Sequence, residues 1–123
     1  MDVLKEIVGK TISRIEGLEE ESELVEIHFT DNTKLRFMHW QSCCENVALN
    51  DFELTTSLDK IVGGVINDAR EDVSDGDGDD WVSQTWTFYN INTSKGCINM
   101  RWLGESNGYY SESVDLELVE VAE

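Results

Sequence analysis

Apolar and polar residues alternate along much of this chain, and that alternation predicts strands. Val25, Ile27 and Phe29 alternate with Leu24, Glu26 and His28. Asp31-Asn32-Thr33 is turn chemistry, and a second strand resumes over Lys34–Trp40, so residues 24–40 read as a hairpin. Thr11–Glu16 reads as a strand before it. Three more follow in the second half. In Trp81–Asn90, Val82, Trp86 and Phe88 share one face, opposite Thr85, Thr87 and Tyr89. In Cys97–Leu103, Ile98, Met100 and Trp102 oppose Asn99 and Arg101. In Tyr109–Val119, Val114, Leu116 and Leu118 face a core, while Ser113, Asp115 and Glu117 face out. Thr93-Ser94-Lys95-Gly96 and Glu105-Ser106-Asn107-Gly108 read as hairpin-like connections, which predicts an antiparallel meander.

Helical signals are few. Asp2 can cap a short helix over 2–8 that ends at Gly9. Leu58, Ile61, Val62, Val65, Ile66 and Ala69 match a helical face, but Gly63-Gly64 interrupts it, and each glycine costs about 1 kcal/mol relative to alanine. The favoured reading is a helix over 56–62, a break, and a strand over 64–71; one longer amphipathic helix is the alternative. The chain is therefore expected to be a single α+β domain over 1–123, dominated by an antiparallel β-sheet with one or two short helices.

Charge changes the picture more than any motif. Twenty-six acidic residues stand against nine basic ones, a formal charge of −17 in 123 residues, where a small domain needs a magnitude of roughly 2–8 for solubility. Such a field repels nucleic acids and anionic membranes and attracts basic protein surfaces. The acid is unevenly placed: residues 45–80 sum to −9 and residues 105–123 to −6. Residues 81–104 hold no acid, carry Lys95 and Arg101, and contain three of the four tryptophans. Eleven aromatic residues argue against disorder. Met1–Glu6 lacks the basic and apolar regions of a secretory signal, and no apolar run approaches a membrane span, so the expected compartment is the cytoplasm. Three cysteines, Cys43 and Cys44 adjacent, do not form a secreted framework, and reduced thiols are expected.

Asp75-Gly76-Asp77-Gly78-Asp79-Asp80 offers carboxylates at alternate positions, as Ca²⁺ sites do, but an EF-hand loop from Asp75 would need Gly and Glu where Asp80 and Trp86 stand. It reads as a solvated loop, and with Glu112 and Asp115 as an acidic partner-binding surface made of Asp75, Asp77, Asp79, Asp80, Glu112 and Asp115. His39 with Cys43, Cys44 and Cys97 lacks paired metal-ligand spacing, and the side chains of adjacent cysteines diverge on a strand. A Cys–His nucleophile at His39 is a further, disfavoured reading. His28 is expected to face solvent or a partner. No phosphate-binding loop, dinucleotide fingerprint or hydrolase elbow occurs, so no enzyme, cofactor or metal is expected. Arg101-Trp102 and the Gly-rich turn after it combine a guanidinium, aromatics and small hydroxyls, chemistry that suits a nucleotide-like ligand held by Arg101, Trp102, Ser106, Asn107, Tyr109, Tyr110, Trp86 and Lys95.

His39 followed by Cys43-Cys44-Glu45, then Trp86-Thr87-Phe88-Tyr89, then Arg101-Trp102-x-Gly104-Glu105-Ser106-Asn107-Gly108-Tyr109-Tyr110-Ser111-Glu112-Ser113-Val114, resembles a family of small proteins of unknown function in tailed bacteriophages and prophages. The resemblance spans nearly the whole chain. It implies a phage origin and a host-cytoplasm location, but no reaction and no functional residues.

Two functions remain open from the sequence. The first is a non-enzymatic inhibitor or interaction protein that turns its acidic surface on a basic host protein, in host defence or nucleic-acid handling. The second is a sponge that sequesters a nucleotide-type immune signal. Neither binds nucleic acid or membrane directly, and a homo-oligomer is compatible with both.

Overall fold

In the computed structural model, which describes residues 3–77, 81–108 and 110–121, the alternation becomes eight strands and two short helices. Helix α1 (Val3–Glu6) is followed by Gly9 at a φ of 91°, a left-handed conformation that glycine adopts without a Cβ penalty. Strands β1 (Ile12–Glu16), β2 (Val25–Phe29) and β3 (Thr33–Met38) come next. The β2–β3 hairpin turns through Asn32 at a φ of 64°, with the Asp31 carboxylate accepting from the Thr33 amide at 3.1 Å. Then come β4 (Asn46–Leu54), α2 (Leu58–Ile61), β5 (Ile66–Asp75), β6 (Ser83–Thr93), β7 (Gly96–Ser106) and β8 (Asp115–Glu120).

The strands form two antiparallel four-stranded sheets, in the orders β1-β2-β3-β8 and β4-β7-β6-β5. This corrects the meander. The β6–β7 hairpin forms, with Thr93 opposite Gly96. The last strand, however, does not return along β7: residues 107–114 carry the chain to the other sheet, where Leu116 pairs with Phe37 and Leu118 with Leu35. Strand β4, which the alternation does not predict, occupies the edge that the meander would have given to β8. The Gly63-Gly64 break does end α2, and the strand after it runs to Asp75.

The core draws on both sheets. Val25, Ile27, Phe29, Leu35 and Phe37 meet Leu49, Tyr89, Ile91, Ile98, Met100 and Trp102, and the Phe37 and Tyr89 rings pack edge-on with centroids 5.0 Å apart. Trp102 is fully buried; truncating such a side chain to alanine typically costs about 3–5 kcal/mol. On β6 the inward face is Thr87, Tyr89 and Ile91, so Trp86 and Phe88 point outward. The sheets are tied at a corner where Gly9, Lys10 and Ile12 exchange backbone hydrogen bonds with residues 63–66, including the Thr11–Val65 bridge. No helix among the described residues is long and apolar enough to cross a membrane.

Candidate functional site

The two longest motifs of the sequence meet at one end of the molecule. The 39–45 segment crosses from β3 to β4, and the 107–114 segment crosses from β7 to β8. His39 Nδ1 lies 2.8 Å from the Ser113 carbonyl, and His39 Nε2 lies 2.8 Å from Glu45 Oε2. Both partners are acceptors, so both contacts are hydrogen bonds only when the ring is an imidazolium. The Glu45 carboxylate also accepts from the backbone amides of Ser42 at 2.9 Å and Cys43 at 2.8 Å. Its side chain is shut off from solvent. The His39 hydrogen bond holds its pKa down at about 2, with the Cys43 and Ser42 amides adding to the shift and burial opposing it. Asp115 accepts from the Trp40 amide at 2.8 Å.

Much of the second motif is likewise explained by packing. Glu112 is buried at 9% exposure and takes hydrogen bonds from the hydroxyls of Ser83 at 3.3 Å, Thr85 at 2.8 Å and Ser106. Gly104 lets that segment lie against β7, and Gly108 turns the chain at a φ of 88°. The expected acidic surface is therefore revised. Glu112 leaves it because its carboxylate faces three hydroxyls, not solvent. Asp115 is half-buried and bonded. Asp75 and Asp77 are exposed, while Asp79 and Asp80 lie outside the described residues.

Cys43 and Cys44 are joined in a disulfide, which corrects the expectation of free thiols. They sit on a bend, not on a strand, so their side chains converge where a strand would hold them apart. Cys97 is free and partly buried. With both ring nitrogens of His39 engaged and these two sulfurs bonded to each other, the Cys–His nucleophile does not assemble.

The nucleotide-binding set is dispersed. Trp102 is in the core. Lys95 lies in the β6–β7 turn and Asn107 beyond the far end of the eleven-residue β7, which places them roughly 35 Å apart at strand rise. Arg101 points outward, where it ion-pairs with Asp51 and lies over the Trp86 ring at 5.3 Å. Ser106, Asn107 and Tyr110 do come together, around a cavity of about 390 Å³ that Cys44, Asn46, Trp81, Val82 and Glu105 also line. Tyr109 lies outside the described residues.

Strand register builds a continuous outer face on the β4-β7-β6-β5 sheet. One row across it runs Asp51–Arg101–Phe88–Asp72, and the next Glu53–Asn99–Asn90–Arg70. A groove of about 620 Å³ follows these rows, with Phe88 37% exposed in its floor. Three carboxylates on that face, of Asp51, Glu53 and Asp72, line it with two guanidiniums, Arg70 paired with Asp68 at 2.8 Å and Arg101 with Asp51. Toward the 107 turn the same face continues through Trp86 and Leu103 to the smaller cavity, beside which Trp81 stands 84% exposed. The outward pairing of Trp86 with Phe88 was readable in the sequence as a shared face. The carboxylates beside it, on β4 and β5, were not, because they come from strands paired only in three dimensions.

His28, expected to face solvent or a partner, is buried on the outer face of the other sheet, between Arg14 and Lys34 in register. It clusters with Glu16 and Glu26, their ligand-type atoms lying within 4.8 Å of one another. Those carboxylates already have cations: Arg14 is 2.7 Å from Glu16, and Lys34 and Arg36 are 2.8 Å and 3.3 Å from Glu26. Burial pushes the Glu26 carboxyl up, but the Lys34 hydrogen bond and charge, with Arg36, bring it below its ordinary value. Three basic groups on two carboxylates make an ion-pair network and disfavour a further cation.

No curated protein and no solved structure matches this chain. A family profile does, over residues 5–116, and the chain accordingly belongs to the family described as Domain of unknown function (DUF7448).

Proposed function

We propose that this protein is a non-enzymatic binding protein that docks a basic protein partner on the outer face of the β4-β7-β6-β5 sheet. The observation that carries the reading is the groove around Phe88. It combines an exposed aromatic floor with the carboxylates of Asp51, Glu53 and Asp72, while both guanidiniums beside them are already paired, Arg101 with Asp51 and Arg70 with Asp68. Interfaces favour buried aromatics at the centre and complementary charge around them. The overall charge of −17 supplies the long-range attraction. The resemblance to small proteins of tailed phages supports a host protein as that partner, met in the host cytoplasm, with interference in host defence or nucleic-acid handling as the outcome.

The test uses the partner recovered from host extract with the full chain as bait. Its affinity should fall at least tenfold between about 50 mM and 500 mM salt. Phe88→Ala and Asp72→Asn should each weaken it while leaving the melting temperature unchanged. Affinity indifferent to salt and to both substitutions would overturn the reading. A thermal-shift screen with nucleotides and cyclic dinucleotides runs beside it, and stabilisation by any of them would favour the sequestering function instead.

A further inference from the structure

The smaller cavity says more about the partner. It lies between the 39–45 crossover and the 105–110 turn, at the end of the outer face already proposed to dock a basic protein. Among the described residues its lining is Cys44, Asn46, Trp81, Val82, Glu105, Ser106, Asn107 and Tyr110: one carboxylate, two amides, two aromatic rings, half of a disulfide and no basic side chain. A phosphate would find no cation there. The Ser106 hydroxyl is already committed to Glu112 and to the Gly108 amide at 3.0 Å.

We infer that this cavity receives an arginine side chain of the partner protein, and that this arginine anchors the complex. The inference rests on the docking reading above and specifies it. A guanidinium is planar, stacks on aromatic faces and presents five donors in a rigid fork, and its weak hydration makes it cheap to bury in an interface. The cavity offers what that group needs. Trp81 and Tyr110 supply ring faces. Glu105 supplies the counter-charge, held in place by the Gln84 side-chain amide at 3.2 Å. Asn46 and Asn107 add amide side chains to the lining. The volume of about 390 Å³ is ample for one long side chain with its bridging waters. A lysine ammonium is a more strongly hydrated point charge and lacks the flat face that an indole would stack on.

The experiment titrates the full chain with short basic peptides of the partner's binding segment, identical except at one position: arginine, lysine or neutral citrulline. Affinity is read by calorimetry for the parent and both variants, and the indole N–H resonance of Trp81 in a nitrogen-correlated spectrum locates the site in the parent. The arginine peptide should bind about tenfold or more tightly than the citrulline one, and more tightly than the lysine one. Trp81→Ala and Glu105→Gln should each remove that preference. Because Trp81 is exposed and Glu105→Gln is nearly isosteric, both variants should melt with the parent. Arginine, lysine and citrulline peptides that bind equally, and equally to Trp81→Ala, but still weaken with salt, would overturn the anchor and leave the docking face standing. Peptides that fail to bind at any salt concentration would overturn both.

Discussion

Gly104 of β7 and Glu112 of the crossover that follows are packed backbone to backbone. A Cβ on residue 104 would overlap the Glu112 carbonyl oxygen and stand 2.8 Å from the Glu112 Cβ. The obstacle is main chain, so it cannot swing aside as a side-chain end would. Gly104→Ala should therefore force the 110–114 segment off the sheet, at a cost on the order of 1–3 kcal/mol or more. It should also loosen the hydroxyl cage around the Glu112 carboxylate. Urea unfolding checks the stability loss. An unchanged midpoint would mean that the segment does not lie where the structure puts it.

The Glu45 carboxylate should make stability depend on acid. Its folded pKa of about 2 lies below its ordinary value of 4.5, so the unfolded chain binds a proton more readily than the native protein does. The stabilisation is fully present above pH 4.5 and is lost as pH falls from there through 2. Glu45→Gln removes the charge that His39 and the two backbone amides hold. The variant should melt well below the parent at pH 7, and the gap should close as the pH drops through that window. A constant gap from neutral pH to acid would show that the charge on Glu45 contributes nothing.

Where the period of two was unbroken, the sequence was legible. Strands β2, β3 and β7 show it in Val25-Ile27-Phe29, Leu35-Phe37 and Ile98-Met100-Trp102, and all of these side chains are buried. Strand β4 was not legible because its period changes phase. Val47 and Leu49 face the core before the irregularity at Asn50, and Phe52 and Leu54 face it after. On β6 the alternation was clear but its sense was not. The more apolar set, Trp86 and Phe88, went outward, because Tyr89 could be buried with its hydroxyl donating to Glu71 at 2.6 Å. Glu112 looked like surface because an isolated glutamate usually is. Only the fold brings Ser83, Thr85 and Ser106 around it. The same limit hid the groove, whose carboxylates on β4 and β5 sit on opposite edges of one sheet.

The phase change in β4 predicts two different outcomes for one and for two residues lost. Asn50 is the extra residue and is exposed, so Asn50→Ala should shift stability by no more than about 0.5 kcal/mol. Deleting Asn50 should be tolerated, because the strand regains a plain period of two that keeps Val47, Leu49, Phe52 and Leu54 all on the core face. Deleting Asn50 and Asp51 together should be far worse: Phe52 and Leu54 would then point to the outer face while Val47 and Leu49 stayed inside. Losing the burial of two such side chains costs about 1.5–3 kcal/mol each when burial is complete. Comparing the urea midpoints of the single and the double deletion settles the matter, and equal midpoints would show that the register of β4 is not fixed by the core.

The bond between Cys43 and Cys44 can be counted chemically. Of the three cysteines, only Cys97 carries a thiol in the structure. Protein purified without reductant, unfolded in denaturant and treated with an alkylating reagent should take up one label per chain, on Cys97. The same protein reduced first should take up three. The two new labels should map to adjacent positions on the 39–45 crossover, where the amide of Cys43 is one of the donors to Glu45. Reduction should therefore also be visible as a lower melting temperature, because it frees the bend that presents this amide. Cys43→Ser with Cys44→Ser should then melt like the reduced parent and no longer respond to reductant. Three labels without prior reduction would mean that the crossover is held by Glu45 and His39 alone.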